Sequence, residues 1–184
     1  MKKAMNMNEY IPKKEDILLF DTNILIDLFY PINFEKDTTA ITHLYKKILK
    51  AESRIIMTSI QLSEFINRCI RFQFDLYKKD NEECKDFKRD YRGCDDYKSC
   101  MDAIIYIIDN QWKDIVEYVD DKLSELNLQK IFKNNIAYDF NDAIIAQIAN
   151  RYDAIFVTND GDFMNYEFNK TILSTNQFLL NMSK

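Results

Sequence analysis

The sequence is poor in the residues on which much enzyme chemistry depends. Gly93 and Gly161 are its only glycines. That excludes a P-loop and a GxGxxG turn, since both need several glycines for close backbone approach to a phosphate. His43 is the sole histidine and falls in the helical-looking stretch TAITHLYKKILK. Histidine-based triads and multi-histidine zinc sites are thereby set aside, and His43 reads as a surface residue. The four cysteines, Cys69, Cys84, Cys94 and Cys100, contain no CxxC pair. Although they cluster in one stretch, reduced thiols on helices in a reducing compartment are a better reading than a structural zinc. No apolar run approaches the roughly 18 residues that span a bilayer. The opening MKKAMNMNEYIPKKED lacks the apolar core of a secretory signal, so the expected location is the cytoplasm, with no membrane partner.

What is present is enough for one substantial core. With 184 residues, 47% hydrophobic and 14% aromatic, the chain is expected to form a single domain over residues 1–184. Its formal charge of -5 argues against a generic nucleic-acid coating protein, whose affinity comes from excess Lys and Arg. The same acidity does not exclude a nuclease, because a site that gathers acids to hold cations lowers the net charge. Chemistry in this chain must rest mainly on carboxylates.

Three short apolar segments read as buried parallel strands: Ile17 to Phe20, Arg54 to Met57 and Ala154 to Val157, with a weaker fourth at Thr171 to Leu173. Each is followed by a plausible helix start, with Asn23, Thr58 or Ser59, and Ser174 or Thr175 as candidate caps. Such alternation implies a parallel sheet wrapped by helices. From Ser59 to about Lys130 the pattern reads as helical, and Gly93 is expected to break it into two long helices. The aromatics Tyr77, Phe87, Tyr91, Tyr97, Tyr106 and Trp112 in this enlarged stretch exceed what a solvated face needs. They suggest a helical hairpin that serves a partner or a second copy of the chain.

In an open parallel sheet, ligands bind outside the carboxyl ends of the strands. Asp21 follows the first strand, and Asp160 and Asp162 follow the third in TNDGDF. Glu64 lies in the first turns of the helix after the second strand, and Asp142 opens the apolar helix NDAIIAQIA. Taken singly, each has an ordinary explanation. Asp21-Thr22-Asn23 is also a plain strand-to-helix turn, and Asp139 to Asp142 resembles a capping box. Glu64 and Arg68 have the spacing of a surface ion pair, and Asn159-Asp160-Gly161 is a turn signal. Their conjunction at one sheet edge is the informative observation. Like charges gathered there raise one another's pKa and oppose folding unless a cation is held between them. Oxygen-only ligands suit Mg2+ or Mn2+, and such ions support phosphodiester hydrolysis.

The stretches LLFDTNILID, TSIQLSEFINR, NDAIIAQIA and FVTNDGDF, in that order, resemble the PIN-domain family of metal-dependent nucleases, which includes the toxin ribonucleases of many bacterial toxin–antitoxin pairs. The resemblance implies a three-layer α/β/α sandwich with a mainly parallel five-stranded sheet, here with an enlarged helical segment at about residues 76–130. It also implies Mg2+ or Mn2+ held by Asp21, Glu64, Asp142 and Asp160, with Asp162 as an auxiliary, and Asn23 and Thr158 orienting those carboxylates. An endoribonuclease acting on RNA is the activity implied, with an antitoxin and a homodimer as possible partners. The alternative is a PIN-like RNA-binding or protein-interaction module without catalysis. The interval between Glu64 and Asp142 is longer than in compact toxins, so the inserted segment's role does not carry over. Arg68 and Arg71 share a helical face with Glu64 and are candidate contacts for the flanking phosphates; surface pairing with Glu64 or Asp75 is the plainer reading. A haloacid-dehalogenase-type phosphatase fits less well, because its second carboxylate normally stands where Asn23 does.

Overall fold

The computed structural model describes residues 4–32, 35–133 and 139–181. Six strands form one sheet: β1 (Ala4–Asn6), β2 (Ile17–Phe20), β3 (Arg54–Met57), β4 (Val116–Tyr118), β5 (Ile155–Val157) and β6 (Ile172–Ser174). Their spatial order is β1-β6-β5-β2-β3-β4, and every pairing is parallel. The helices are α1 (Thr22–Phe29), α2 (Thr39–Ala51), α3 (Ser59–Asp80), α4 (Asp95–Tyr106), α5 (Leu128–Lys133), α6 (Phe140–Arg151) and α7 (Gln177–Asn181).

The central strands are buried on both faces, and the period-two alternation of strand side chains divides the core. Leu18, Phe20, Ile55, Met57, Ile155 and Val157 face one half, where α1 to α4 supply Ile24, Leu44, Phe65 and Ile104. Leu19, Ile56 and Phe156 face the other, against Ile144, Ile145 and Ile148 of α6. This is the expected three-layer sandwich. The sheet has six strands where the resemblance implied five.

The stretch read as helical from Ser59 to about Lys130 is more varied than its pattern suggests. α3 ends at Asp80, where the Asn81 side chain donates to the Tyr77 carbonyl at 3.0 Å. Gly93 is not the cap: its φ is not positive, and it precedes the start of α4, which Cys94 caps. Two single π-helical turns, Phe87–Tyr91 and Ile107–Gln111, flank α4, and edge strand β4 follows. The aromatics there turn inward. Tyr91 and Trp112 are fully buried, and Tyr77, Phe87 and Tyr97 pack against the same core. Phe74, Phe87, Tyr91 and Tyr97 form contiguous ring contacts of 5.2–6.3 Å. Of the six named aromatics only Tyr106 is exposed, so they supply no reason for an external partner.

All four cysteines are unpaired, with Cys69, Cys84 and Cys100 buried, and His43 is exposed on α2. No helix among the described residues is long and apolar enough to cross a membrane.

Candidate metal centre at the carboxyl edge of the sheet

The two central strands, β5 and β2, connect onward in opposite directions across the sheet: β2 leads through α1 and α2 to β3, and β5 leads to β6. A crevice opens at such a switch point. Asp21 stands at its floor. The backbone N–H of Asp21 donates to the Val157 carbonyl at 2.9 Å, continuing the β2–β5 pairing one step beyond the strand. Although it occupies the N-cap position of α1, its carboxylate makes no capping hydrogen bond. Instead one oxygen, Oδ2, accepts from the Thr158 hydroxyl at 2.5 Å and from the Asn23 amide at 2.6 Å. Asn23 is therefore not a helix cap but a donor to Asp21.

Glu64 reaches the same crevice from the second turn of α3. The Thr22 hydroxyl donates to its Oε2 at 3.0 Å, and Arg68 lies 3.7 Å from its other oxygen. The start of α3 is fixed by a capping box between Thr58 and Gln61. The Gln61 side chain is fully buried and also donates to the Phe20 carbonyl at 2.5 Å. That bond ties the end of β2, one residue before Asp21, to the helix that carries Glu64. Asp142 projects from the first turn of α6, whose N-cap is Asp139. Asp160 follows β5; its N–H donates to the Thr158 hydroxyl at 2.9 Å, and its Oδ1 accepts from the Asp162 N–H at 2.9 Å.

Electrostatics define which acids share the crevice. Burial pushes Asp21 up to about 6, opposed by the Thr158 hydrogen bond and reinforced by the charges of Glu64 and Asp160. Asp142 is raised to about 7 by burial, then by Asp21, Asp139, Asp160 and Glu64. Asp21, Glu64, Asp142 and Asp160 are thus within one another's fields. Asp162 is exposed and is not among the charges that raise Asp21 or Asp142, whereas Asp139 is. Thr22, Gln61 and Asp139 were not recognised from sequence as shaping this site. The Thr-x-x-Gln spacing from Thr58 to Gln61 is a capping-box signal that would have found Gln61.

The donor set is all oxygen, which fits a hard divalent cation rather than zinc. A further sign is the buried Asn23 Oδ1 beside Asp21, which has no hydrogen-bond donor among the described residues. Among those residues no three acids stand close enough to grip one ion as the side chains lie. Asp21 and Glu64 are instead turned to Thr158, Asn23 and Thr22. Along α3 the crevice continues as a groove of about 550 Å³, lined by Ser63, Glu64, Asn67, Arg68 and Arg71, with Asn141 opposite.

A parallel sheet with acids from four segments at its switch point defines the class. The PIN domain model matches residues 18–169, and the chain belongs to the PIN-domain family. Members of this family are nucleases and in general use divalent metal ions. No curated protein is matched by the chain. Among solved structures it is similar to a chain of VapBC2 from Rickettsia felis bound to a DNA fragment from their promoter. The identity is 21%, the TM-score 0.48, and the match covers 86% of this chain and 98% of that one. At that distance the likeness says nothing about activity.

Proposed function

We infer that the protein is a metal-dependent endoribonuclease, with residues 1–184 forming one PIN-like domain. The convergence of Asp21, Glu64, Asp142 and Asp160 on one crevice, with Asp21 and Asp142 held well above the ordinary carboxylate range, carries this reading. These four acids would hold Mg2+ or Mn2+. When bound, such a cation polarises a phosphoryl oxygen and makes water a nucleophile at neutral pH. The chain's own part is positioning. Thr158 and Asn23 fix the plane of the Asp21 carboxylate, and Thr22 fixes Glu64. Arg68 and Arg71 face the strand of substrate that leaves the crevice along α3. Asp162, exposed and outside the shared field, contributes to the turn that sets Asp160 rather than to the acid cluster.

His43 lies on the surface of α2 and is not placed to drive attack by the substrate's 2′-hydroxyl. Water should attack phosphorus in line, expel the 3′-oxygen, and leave a 5′-phosphate with a free 3′-hydroxyl. End-group analysis of RNA fragments tests this; a 2′,3′-cyclic phosphate would overturn the mechanism. A PIN-like binding module without catalysis is the second reading, favoured by the lack of a preformed chelating trio among the described residues. Turnover on a pool of labelled RNAs that depends on added Mn2+ separates the two. A toxin's role beside an antitoxin in the cytoplasm, and self-association as a dimer, belong to the same proposal and rest on family membership.

A further inference from the structure

Arg71 is an exposed cation on α3. Among the described residues no carboxylate pairs with it; Asp75, one turn further on, pairs with Lys78 at 2.7 Å. Its guanidinium instead lies 4.0 Å from the centroid of the Phe87 ring. Phe87 belongs to the π-helical turn of the inserted segment and is itself held by Phe74, Tyr91 and Tyr97. A cation over a ring keeps its outer N–H donors free while losing conformational freedom, which suits it to a second, anionic partner. Arg71 lines the same groove as Glu64, and the polarity of that groove runs from acid at the crevice to base at its far end.

Resting on the nuclease reading above, we propose that Arg71, held by Phe87, is a phosphate-binding subsite for single-stranded RNA, about two linkages from the bond that is cut. At about 1.5 Å per residue, Glu64 and Arg71 are about 10 Å apart along α3. Successive phosphates of a strand lie farther apart than the roughly 3.4 Å rise along its axis, since each linkage also winds about that axis, so the second phosphate from the crevice is the one that meets Arg71. The inserted segment thereby acts on substrate without touching it: Phe87 is a positioning residue, and Arg71 makes the contact. Recognition is of backbone charge and carries no base sequence.

The test uses a dodecamer from the best-cleaved member of a random RNA pool, its cut linkage mapped with wild-type protein and Mn2+. One uncharged methylphosphonate is moved away from that linkage a step at a time on each side. Binding is followed by fluorescence anisotropy on Asp21→Asn protein, which holds the RNA uncut, with and without Arg71→Ala. With Arg71 present, the neutral second linkage on one side should weaken binding about fivefold. With Arg71→Ala the same substitution should have no effect, and the slope of log affinity against log salt should shrink by about 0.7. Phe87→Leu should give a partial loss that Phe87→Tyr restores. Equal sensitivity to the neutral linkage with and without Arg71 overturns the subsite, as does full binding by Phe87→Leu. Absence of any Mn2+-dependent cut in the pool removes the nuclease reading and the subsite with it.

Discussion

Replacing Asp21 by Asn is expected to abolish cleavage while making the metal-free protein more stable. Asp21 is 6% exposed, and its pKa is raised from 3.8 to about 6. That rise, at about 1.4 kcal/mol per unit, corresponds to a penalty of roughly 3 kcal/mol when the folded protein carries the charge above pH 7. The sign follows from linkage: a carboxyl with a raised folded pKa is fully tolerated below its unfolded value, and stability is lost as pH rises through the folded one. Asparagine removes the penalty and can turn its carbonyl oxygen to the Thr158 and Asn23 donors, which meet a single oxygen, but a neutral acceptor in place of a charged one costs about 1 kcal/mol. The net gain of about 2 kcal/mol raises Tm by roughly 4–8 °C for a chain of this size. Thermal melts in EDTA at pH 8 and pH 5 measure it, and the advantage should fall by about two-thirds at pH 5, where Asp21 is largely protonated in the folded state and the charge penalty is roughly halved while the amide cost remains. A variant that melts at or below wild type at pH 8, or whose advantage is the same at both pH values, refutes the reasoning.

Other outcomes follow from the same geometry. Mn2+ should stabilise the wild-type protein by roughly 2.7 kcal/mol at a hundredfold excess over its Kd, with the effect much reduced in Asp21→Asn; melting points unchanged across the titration would count against the site. Because Asp21 and Asp142 sit near 6 and 7 without metal, Mn2+ binding at pH 6.5 should release protons, fewer at pH 8. Calorimetric heats independent of the buffer's ionisation enthalpy at pH 6.5 would disprove that release. Gln61→Ala should cost roughly 2–4 kcal/mol, read from the urea midpoint, since it strands the Phe20 carbonyl and the Thr58 cap in a buried site. A loss within half a kilocalorie would show that the tie between β2 and α3 is dispensable.

The sequence made the inner strands legible because a strand buried on both faces has to be an unbroken apolar run, as ILLF and IFV are. It hid the outer ones for the converse reason. β1 (AMN) and β4 (VEY) are three residues long, partly exposed, and carry no pattern that separates them from loop or helix. The acids of the crevice were legible through position, since residues just past a parallel strand or in the first turns of the next helix must lie at its carboxyl edge. Choosing between Asp160 and Asp162 was beyond that rule. Two positions in a turn look alike in sequence, and only the bond by which Asp160 accepts the Asp162 N–H turns one inward and leaves the other in solvent. The aromatics misled because composition counts rings without saying which side of a helix they take.

That last point explains how the segment at about residues 76–130, remote from the acids, bears on the crevice. α3 buries Phe65, Cys69, Ile70 and Phe74 on one side, against Tyr91, Cys100, Ile104 and Trp112 from the segment that follows it. Its opposite stripe carries Glu64, Arg68 and Arg71 into the groove. Because the helix is one rigid body, packing on its buried side sets the height and rotation of the groove side. At the start of α3 the constraint comes from Gln61 and the Phe20 carbonyl; along its length it comes from Trp112, whose ring packs at a tilt 4.8 Å from Phe65 and edge-to-face 5.5 Å from Phe29. The helix that carries Glu64 is thus positioned by two independent contacts, one from Gln61 to β2 and one from Phe65 to Trp112. The aromatic excess that composition assigned to a missing partner is accounted for by support of α3 from behind.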